Sequence, residues 1–286
     1  MWAYRTIAEL NVSRTGTEAQ EISDGQWFPP AGTLGELVRE KASRREEPTG
    51  DFTGAVPSFR AALRREFVAV IAEIKRASPS AGALRADLDA GLRAAAFEKA
   101  GAQAISVLTE PTRFGGSLAD IRSAREASRL PILKKDFHTS PEHLLQAKAL
   151  GASAALLIVR AVPPTVLRES IAAAREAGLE LLVEVHREGE LELALDSGAT
   201  IIGVNARDLE TLGIDSKVHF RLIPKIPASV IAIAESGMST RLDVERAAET
   251  GADAVLIGSG LSRAADVDAV LRSLATVTRR TDVRPD

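Results

Sequence analysis

The stretch Gly151–Val185, GASAALLIVRAVPPTVLRESIAAAREAGLELLVEV, holds one complete structural unit and the start of the next. An unbroken apolar run, AALLIV (154–159), leads into an Ala-rich, charged segment over 163–177, and a second apolar run, LLVEV (181–185), follows. Runs without polar alternation mark strands buried on both faces, as in parallel sheets covered by helices. The same alternation continues in both directions. Apolar runs recur at 68–75, 103–108, 131–135, 200–205, 230–236 and 254–259, and each run is followed by a helix candidate: 88–100, 117–128, 140–150, 163–177, 187–197, 216–223, 239–250 and 265–275.

A repeat supports this division. Gly-Ala stands just before a strand at Gly101-Ala102, Gly151-Ala152, Gly198-Ala199 and Gly251-Ala252, ahead of every second strand. Glycine suits the left-handed residue that ends a helix. Eight strand–helix units in 286 residues predict an α/β fold of the (β/α)8 TIM-barrel type. An open doubly wound sheet would want a glycine fingerprint after its first strand, whereas this first strand ends in Glu-Ile-Lys-Arg.

Residues 1–32 read as an N-terminal extension that is flexible or docks late. Thr33-Leu34-Gly35-Glu36 has a capping-box pattern that predicts a leading helix to about Glu47, broken by Pro48–Gly54. The barrel is expected over 33–278, with a short tail at 279–286. A hydrophobic content of 45% suffices for a large core, and the net charge of −3 offers no broad basic field for nucleic acid or an anionic membrane. The absence of cysteine excludes disulfides and thiolate chemistry. No apolar run spans a bilayer, and the opening MWAYRTIAELNVSR lacks a signal-peptide core, so a soluble cytoplasmic protein is expected.

Barrel enzymes draw their chemistry from the C-terminal ends of several strands. Here those ends carry Glu73 and Lys75, Lys135, Glu184, Asn205 with Arg207, Glu235-Ser236-Gly237 and Gly258-Ser259-Gly260. Glu73 and Lys75 are two apart and share a face. Lys134 and Lys135 must point opposite ways, and parity alone does not say which lysine faces inward. Glycine turns after the last two strands suit a phosphate bound by backbone N–H groups. His138, His143, His186 and His219 lack metal-pair spacing and read as surface or satisfied residues, while Arg64-Arg65 and Arg279-Arg280 read as solvated charge. The residues thus point to a cofactor-free barrel enzyme acting on a small phosphorylated compound. Its lysine is expected to have a pKa lowered by burial and neighbouring cations.

These strand ends also carry a resemblance. Ile71-Ala-Glu-Ile-Lys-Arg-Ala-Ser-Pro-Ser80, Ser106-Val-Leu-Thr-Glu110, Phe114-Gly-Gly-Ser117, Leu133-Lys-Lys-Asp-Phe137, Leu182-Val-Glu-Val185, Gly203–Leu209, Ala234–Gly237 and Leu256–Ser259 together resemble indole-3-glycerol phosphate synthase from about Leu34 to Leu274. The resemblance implies cofactor- and metal-free ring closure, decarboxylation and dehydration of 1-(2-carboxyphenylamino)-1-deoxyribulose 5-phosphate. It implies that Lys135 is the general acid, Lys75 the cation holding the anthranilate carboxylate, and Glu184 the acid–base of dehydration. Glu73, Asn205 and Glu235 would support them, with Arg207 and Ser236 at the edge. Ser78 would orient the substrate, Phe114, Phe137, Leu156, Leu209 and Leu212 would wall the ring, and Gly237, Gly258 and Ser259 would hold the phosphate. The implied partner is the small-molecule substrate alone, with no nucleic acid or membrane, on a monomer or weak homo-oligomer. Lys134 in place of the commoner Arg, Ala206 in place of Asn or Ser, and the small Gly260 and Ser262 depart from the pattern. A paralogue serving a specialised pathway and a non-catalytic phosphate-ligand barrel remain open here.

Overall fold

The computed structural model describes residues 27–43, 50–79, 82–264, 266–274 and 276–286. Its core is a closed parallel barrel of eight strands: β1 (Ala69–Ile74), β2 (Ala104–Leu108), β3 (Ile132–Lys135), β4 (Ala154–Ile158), β5 (Glu180–Val185), β6 (Ile201–Asn205), β7 (Ile231–Glu235) and β8 (Ala254–Ile257). Each strand pairs with its sequence neighbours, and β1 closes on β8 with Ala69 opposite Ala254. The strands are buried along nearly their whole length, which is why their sequences do not alternate. The glycines that punctuate the repeat, Gly101, Gly151, Gly198 and Gly251, have φ of 93°, 85°, 83° and 86°. In that region a β-carbon is penalised, and these residues turn the helix ends back into the barrel.

Several elements differ from the sequence expectation. The leading helix spans Gly32–Ser43 and begins one residue early, so Thr33 lies in the first turn rather than at the cap. Part of its expected extension to Glu47 falls outside the described residues, as does most of the 1–32 extension. Short helices at Phe59–Leu63, Pro111–Phe114 and Ser259–Arg263 are too brief to show a 3.6-residue period. The predicted helix at 216–223 divides into Val218–Leu222 and a 3₁₀ turn at Ile223–Lys225.

The base of the barrel corrects the reading of Arg279. Rather than lying in solvent, its guanidinium pairs with the buried carboxylate of Asp253, which Arg284 also binds at 2.7 Å. The Pro285 carbonyl accepts from Ala228 N at 2.6 Å, so residues 279–286 lie along the barrel. Arg280 instead pairs with Asp282 in an exposed position.

Candidate active site

The mouth at the C-terminal strand ends opens into a cavity of about 470 Å³. Its lining includes Glu73, Lys75, Ser78, Phe114, Lys135, Phe137, Leu156, Glu184, Asn205, Arg207, Leu209, Leu212, Glu235, Ser236, Gly237, Gly258 and Ser259. Every site residue that the resemblance implies therefore borders one space, although the loops and strands supplying them span nearly the whole barrel. Thr33 and Leu37 of the leading helix border it too, as do Arg263 and Ser239 near the glycine turns.

Two charged groups organise the floor. Lys75 Nζ lies 2.8 Å from Glu73 Oε1, as their shared strand face requires. Lys135 Nζ lies 3.8 Å from both Glu184 Oε2 and Glu235 Oε2. Asn205 Nδ2 donates to Glu184 Oε1 at 3.0 Å, and Asn205 Oδ1 accepts from Arg207 N at 2.9 Å. Glu184 is thereby held by one oxygen, leaving Oε2 beside the lysine. Two mid-strand or strand-end glycines make the arrangement possible. A β-carbon on Gly203 would overlap the Glu235 carboxylate, and one on Gly258 would overlap Glu73 and press on Lys75.

The electrostatics overturn one expectation. Burial favours the neutral Lys135 amine, but Glu184, Glu235 and Glu73 outweigh it and raise its pKa above the ordinary lysine value. The neighbours are carboxylates rather than cations, so they favour the ammonium form of Lys135. Glu235 is pushed up to about 8 by burial, with Glu184 and Glu73 adding to the shift against Lys135. Burial also works against ionisation of Glu73, but Lys75 and Lys135 prevail and hold it below the usual carboxylate range.

The walls are apolar and locally anchored. Glu110 accepts from the N–H groups of Thr112, Arg113 and Phe114, with Pro111 opening that helix and Gly115 closing it at φ 65°. This fixes Phe114, whose ring centroid lies 5.9 Å from that of Phe137. Ser78 sits on a small hairpin after β1, and among the described residues its buried hydroxyl has no hydrogen-bond partner. Arg76 ties that hairpin to Asp120 at 2.9 Å and to the Leu88 carbonyl at 2.8 Å. Leu212 and Ser236, both at φ 63°, are the non-glycine residues with positive φ among those described, and both border the cavity. Such strain costs about 1–3 kcal/mol per residue and gathers at functional sites. Ser236 is followed by Gly237 at φ 76°, forming the turn that ends β7.

Lys134 is no bystander. It is fully buried on the opposite strand face, where Nζ donates to Asp136 at 3.1 Å and to His138 Nε2 at 2.9 Å. Lys41 Nζ, from the leading helix, donates to the same carboxylate at 2.9 Å, and His138 Nδ1 donates to the Leu156 carbonyl. Burial first, then Lys134, holds His138 well below its ordinary pKa, consistent with a neutral ring accepting from lysine. His219 is likewise satisfied, donating from Nε2 to the Val204 and Glu235 carbonyls. His186 differs: its ring lies 3.5 Å from Glu184. The strand parity that linked Glu73 to Lys75 applies equally to Glu184 and His186 and would have found this neighbour.

Known proteins match both the sequence and the shape. The family model for indole-3-glycerol phosphate synthase matches residues 34–274. A protein of that name from Mycolicibacterium vanbaalenii is 44% identical over 84% of this chain and 85% of its own. Others from Mycobacteroides abscessus and Dehalococcoides mccartyi are 49% and 46% identical, over 76% and 74% of this chain and 79% and 83% of theirs. Among solved structures, 3-hexulose-6-phosphate synthase from Salmonella typhimurium superposes with a TM-score of 0.59 at 18% identity, covering 73% of this chain and 97% of that one. Thiamine phosphate pyrophosphorylase from Pyrococcus furiosus gives 0.54 at 16%, covering 74% and 95%. At those identities the two structures speak to the barrel alone.

Proposed function

Because this chain belongs to the indole-3-glycerol phosphate synthase family, we propose that it closes the indole ring of 1-(2-carboxyphenylamino)-1-deoxyribulose 5-phosphate, releasing carbon dioxide and water. The observation that carries this reading is Lys135, a buried ammonium flanked by two carboxylates within one apolar-walled cavity. It donates a proton to the substrate carbonyl as the ring carbon attacks, stabilising charge that develops in the transition state. Lys75 holds the anthranilate carboxylate, with Glu73 orienting its ammonium at 2.8 Å. Phe114, Phe137, Leu156, Leu209 and Leu212 enclose the aromatic ring. Loss of carbon dioxide then restores aromaticity. Glu184 takes and returns the proton needed to expel hydroxide as water, with Asn205 fixing its other oxygen.

The phosphate lies at Gly237, Gly258 and Ser259, which border the cavity at the turns after β7 and β8, where glycine lets a backbone approach an anion closely. Ser78 supplies a hydroxyl, and Arg207 and Ser236 border the glycerol chain. No described helix is long and apolar enough to cross a membrane, and the reading includes a cytoplasmic enzyme that is a monomer or weak homo-oligomer. Calorimetry tests the phosphate assignment. Indole-3-glycerol phosphate should bind more than about tenfold tighter than indole-3-glycerol, since charge-assisted hydrogen bonds contribute about 1.5–3 kcal/mol. Equal affinity would remove the phosphate from these turns.

Two further outcomes are expected. Gly203→Ala should displace the Glu235 carboxylate and lower kcat by on the order of 10²-fold, the loss typical of an ångström of misplacement. Circular dichroism should remain native, and an unchanged kcat would show that Glu235 needs no fixed place. At the N-terminus, Phe28 O accepts from Arg160 at 2.6 Å, Arg160 reaches Glu210 at 3.1 Å, and Leu34 N donates to Leu209 O at 3.0 Å. A deletion of 1–26 should leave turnover intact. One extending through Gly32 should raise KM, because it removes the Phe28 carbonyl that anchors Arg160, which in turn pairs with Glu210 in the loop carrying Leu209 and Leu212. Equal KM for both deletions would contradict that coupling.

A further inference from the structure

His186 stands directly behind Glu184, on the same strand face and at the start of the following loop. Its Nε2 lies 3.5 Å from Glu184 Oε1 and its Nδ1 lies 3.6 Å from Glu190 Oε2. Glu190 is 3% exposed, and its Oε2 also accepts from His186 N at 2.7 Å, which pins the carboxylate against the imidazole. Asp208, from the loop after β6, also acts on this ring and lies 3.8 Å from Arg187. The ring therefore contacts a structural carboxylate on one nitrogen and the proposed acid–base on the other.

Charge balance gives that contact its meaning. Lys75, Lys135 and His186⁺ face Glu73, Glu184, Glu190 and Glu235 across the buried floor. Burial, with Glu184 and Glu73 adding to it, raises Glu235 to about 8 against Lys135. Removing the imidazolium takes from Glu190 the ring paired with it, and from Glu184 the cation beside Oε1, while Lys135 stays 3.8 Å from Oε2.

We propose that His186 is a positioning residue that acts through Glu184: set between Glu190 and Glu184, its ring places a positive charge beside Oε1 and holds Oε2 toward Lys135. This rests on the reading of Glu184 as the acid–base. Burial disfavours the charged ring, but Glu190 and then Glu184 outweigh it and raise His186 to about 9. The cation therefore persists across neutral pH. Because this value lies above that of an unfolded histidine, the stabilisation is complete below about pH 6.5 and is lost as pH rises through about 9.

The test is the pH dependence of kcat/KM for wild type, His186→Gln, His186→Lys and Glu184→Gln. In His186→Gln the acid limb should move up by about one pH unit, with about a tenfold loss of activity at the wild-type limb. His186→Lys, which keeps a cation, should return the limb toward wild type. A lowered but unshifted profile in His186→Gln would reduce the residue to packing and overturn the proposal. Wild-type turnover in Glu184→Gln would instead remove Glu184 from the chemistry. Imidazole NMR of wild type and Glu184→Gln gives a readout that does not depend on a stable His186 variant. The His186 midpoint should fall when Glu184 is neutralised, and an unmoved midpoint would also overturn the proposal.

Discussion

Replacing Lys135 by methionine is expected to cut turnover by about 10²–10⁴-fold, the usual contribution of a positioned general acid. Methionine keeps the length and apolar stem of lysine and removes only the proton donor and the charge. Methionine fills the same space but leaves Glu184 and Glu235, 3.8 Å away and buried, without their ammonium, so turnover is compared per folded molecule. Product affinity should change far less than kcat, because phosphate and ring walls lie elsewhere in the cavity. Steady-state kinetics with calorimetric titration of product separates the two effects. Retained turnover would take Lys135 out of the reaction. Parallel losses in affinity and turnover would recast it as a binding cation.

The second large effect is on stability. Asp253 precedes β8 at the barrel base, is fully buried, and binds Arg279, Arg284 and the Ala232 N–H, the last at 2.8 Å. Asp253→Ala leaves two largely buried guanidiniums without their anion. Removing one partner of a buried pair costs about 3–5 kcal/mol. Urea denaturation should show that loss, while kcat per folded molecule stays near wild type because Asp253 lies at the opposite end of β8 from Gly258. A change below about 1 kcal/mol, the scale of an exposed pair, would show that water replaces the carboxylate at the base.

Much of this was legible in the sequence for a physical reason. Strands buried on both faces have no alternation to interpret, so Glu73, Lys75, Lys135, Glu184, Asn205 and Glu235 stand out as interruptions at their ends. Backbone demands were equally visible, since the glycines before alternate strands occupy the left-handed region. Properties that depend on distant partners were hidden. The direction of the Lys135 pKa follows from carboxylates on β1, β5 and β7 converging on one ammonium, which no single segment reveals. The Lys134–Asp136 pair was foreseeable from parity, but its third member, Lys41, comes from the leading helix. Gly203 looked like an ordinary apolar-strand residue until Glu235 filled the space above it. The Asp253 clamp joins residues that look like scattered surface charge along the chain.

The assigned reaction is tested most directly by mixing the purified protein with 1-(2-carboxyphenylamino)-1-deoxyribulose 5-phosphate and following indole fluorescence. With wild type the signal should rise as indole-3-glycerol phosphate forms, and with Lys135→Met it should stay flat. A wild-type protein that binds the phosphate ester tightly yet forms no indole-3-glycerol phosphate would contradict the assignment and leave a ligand-binding barrel in its place.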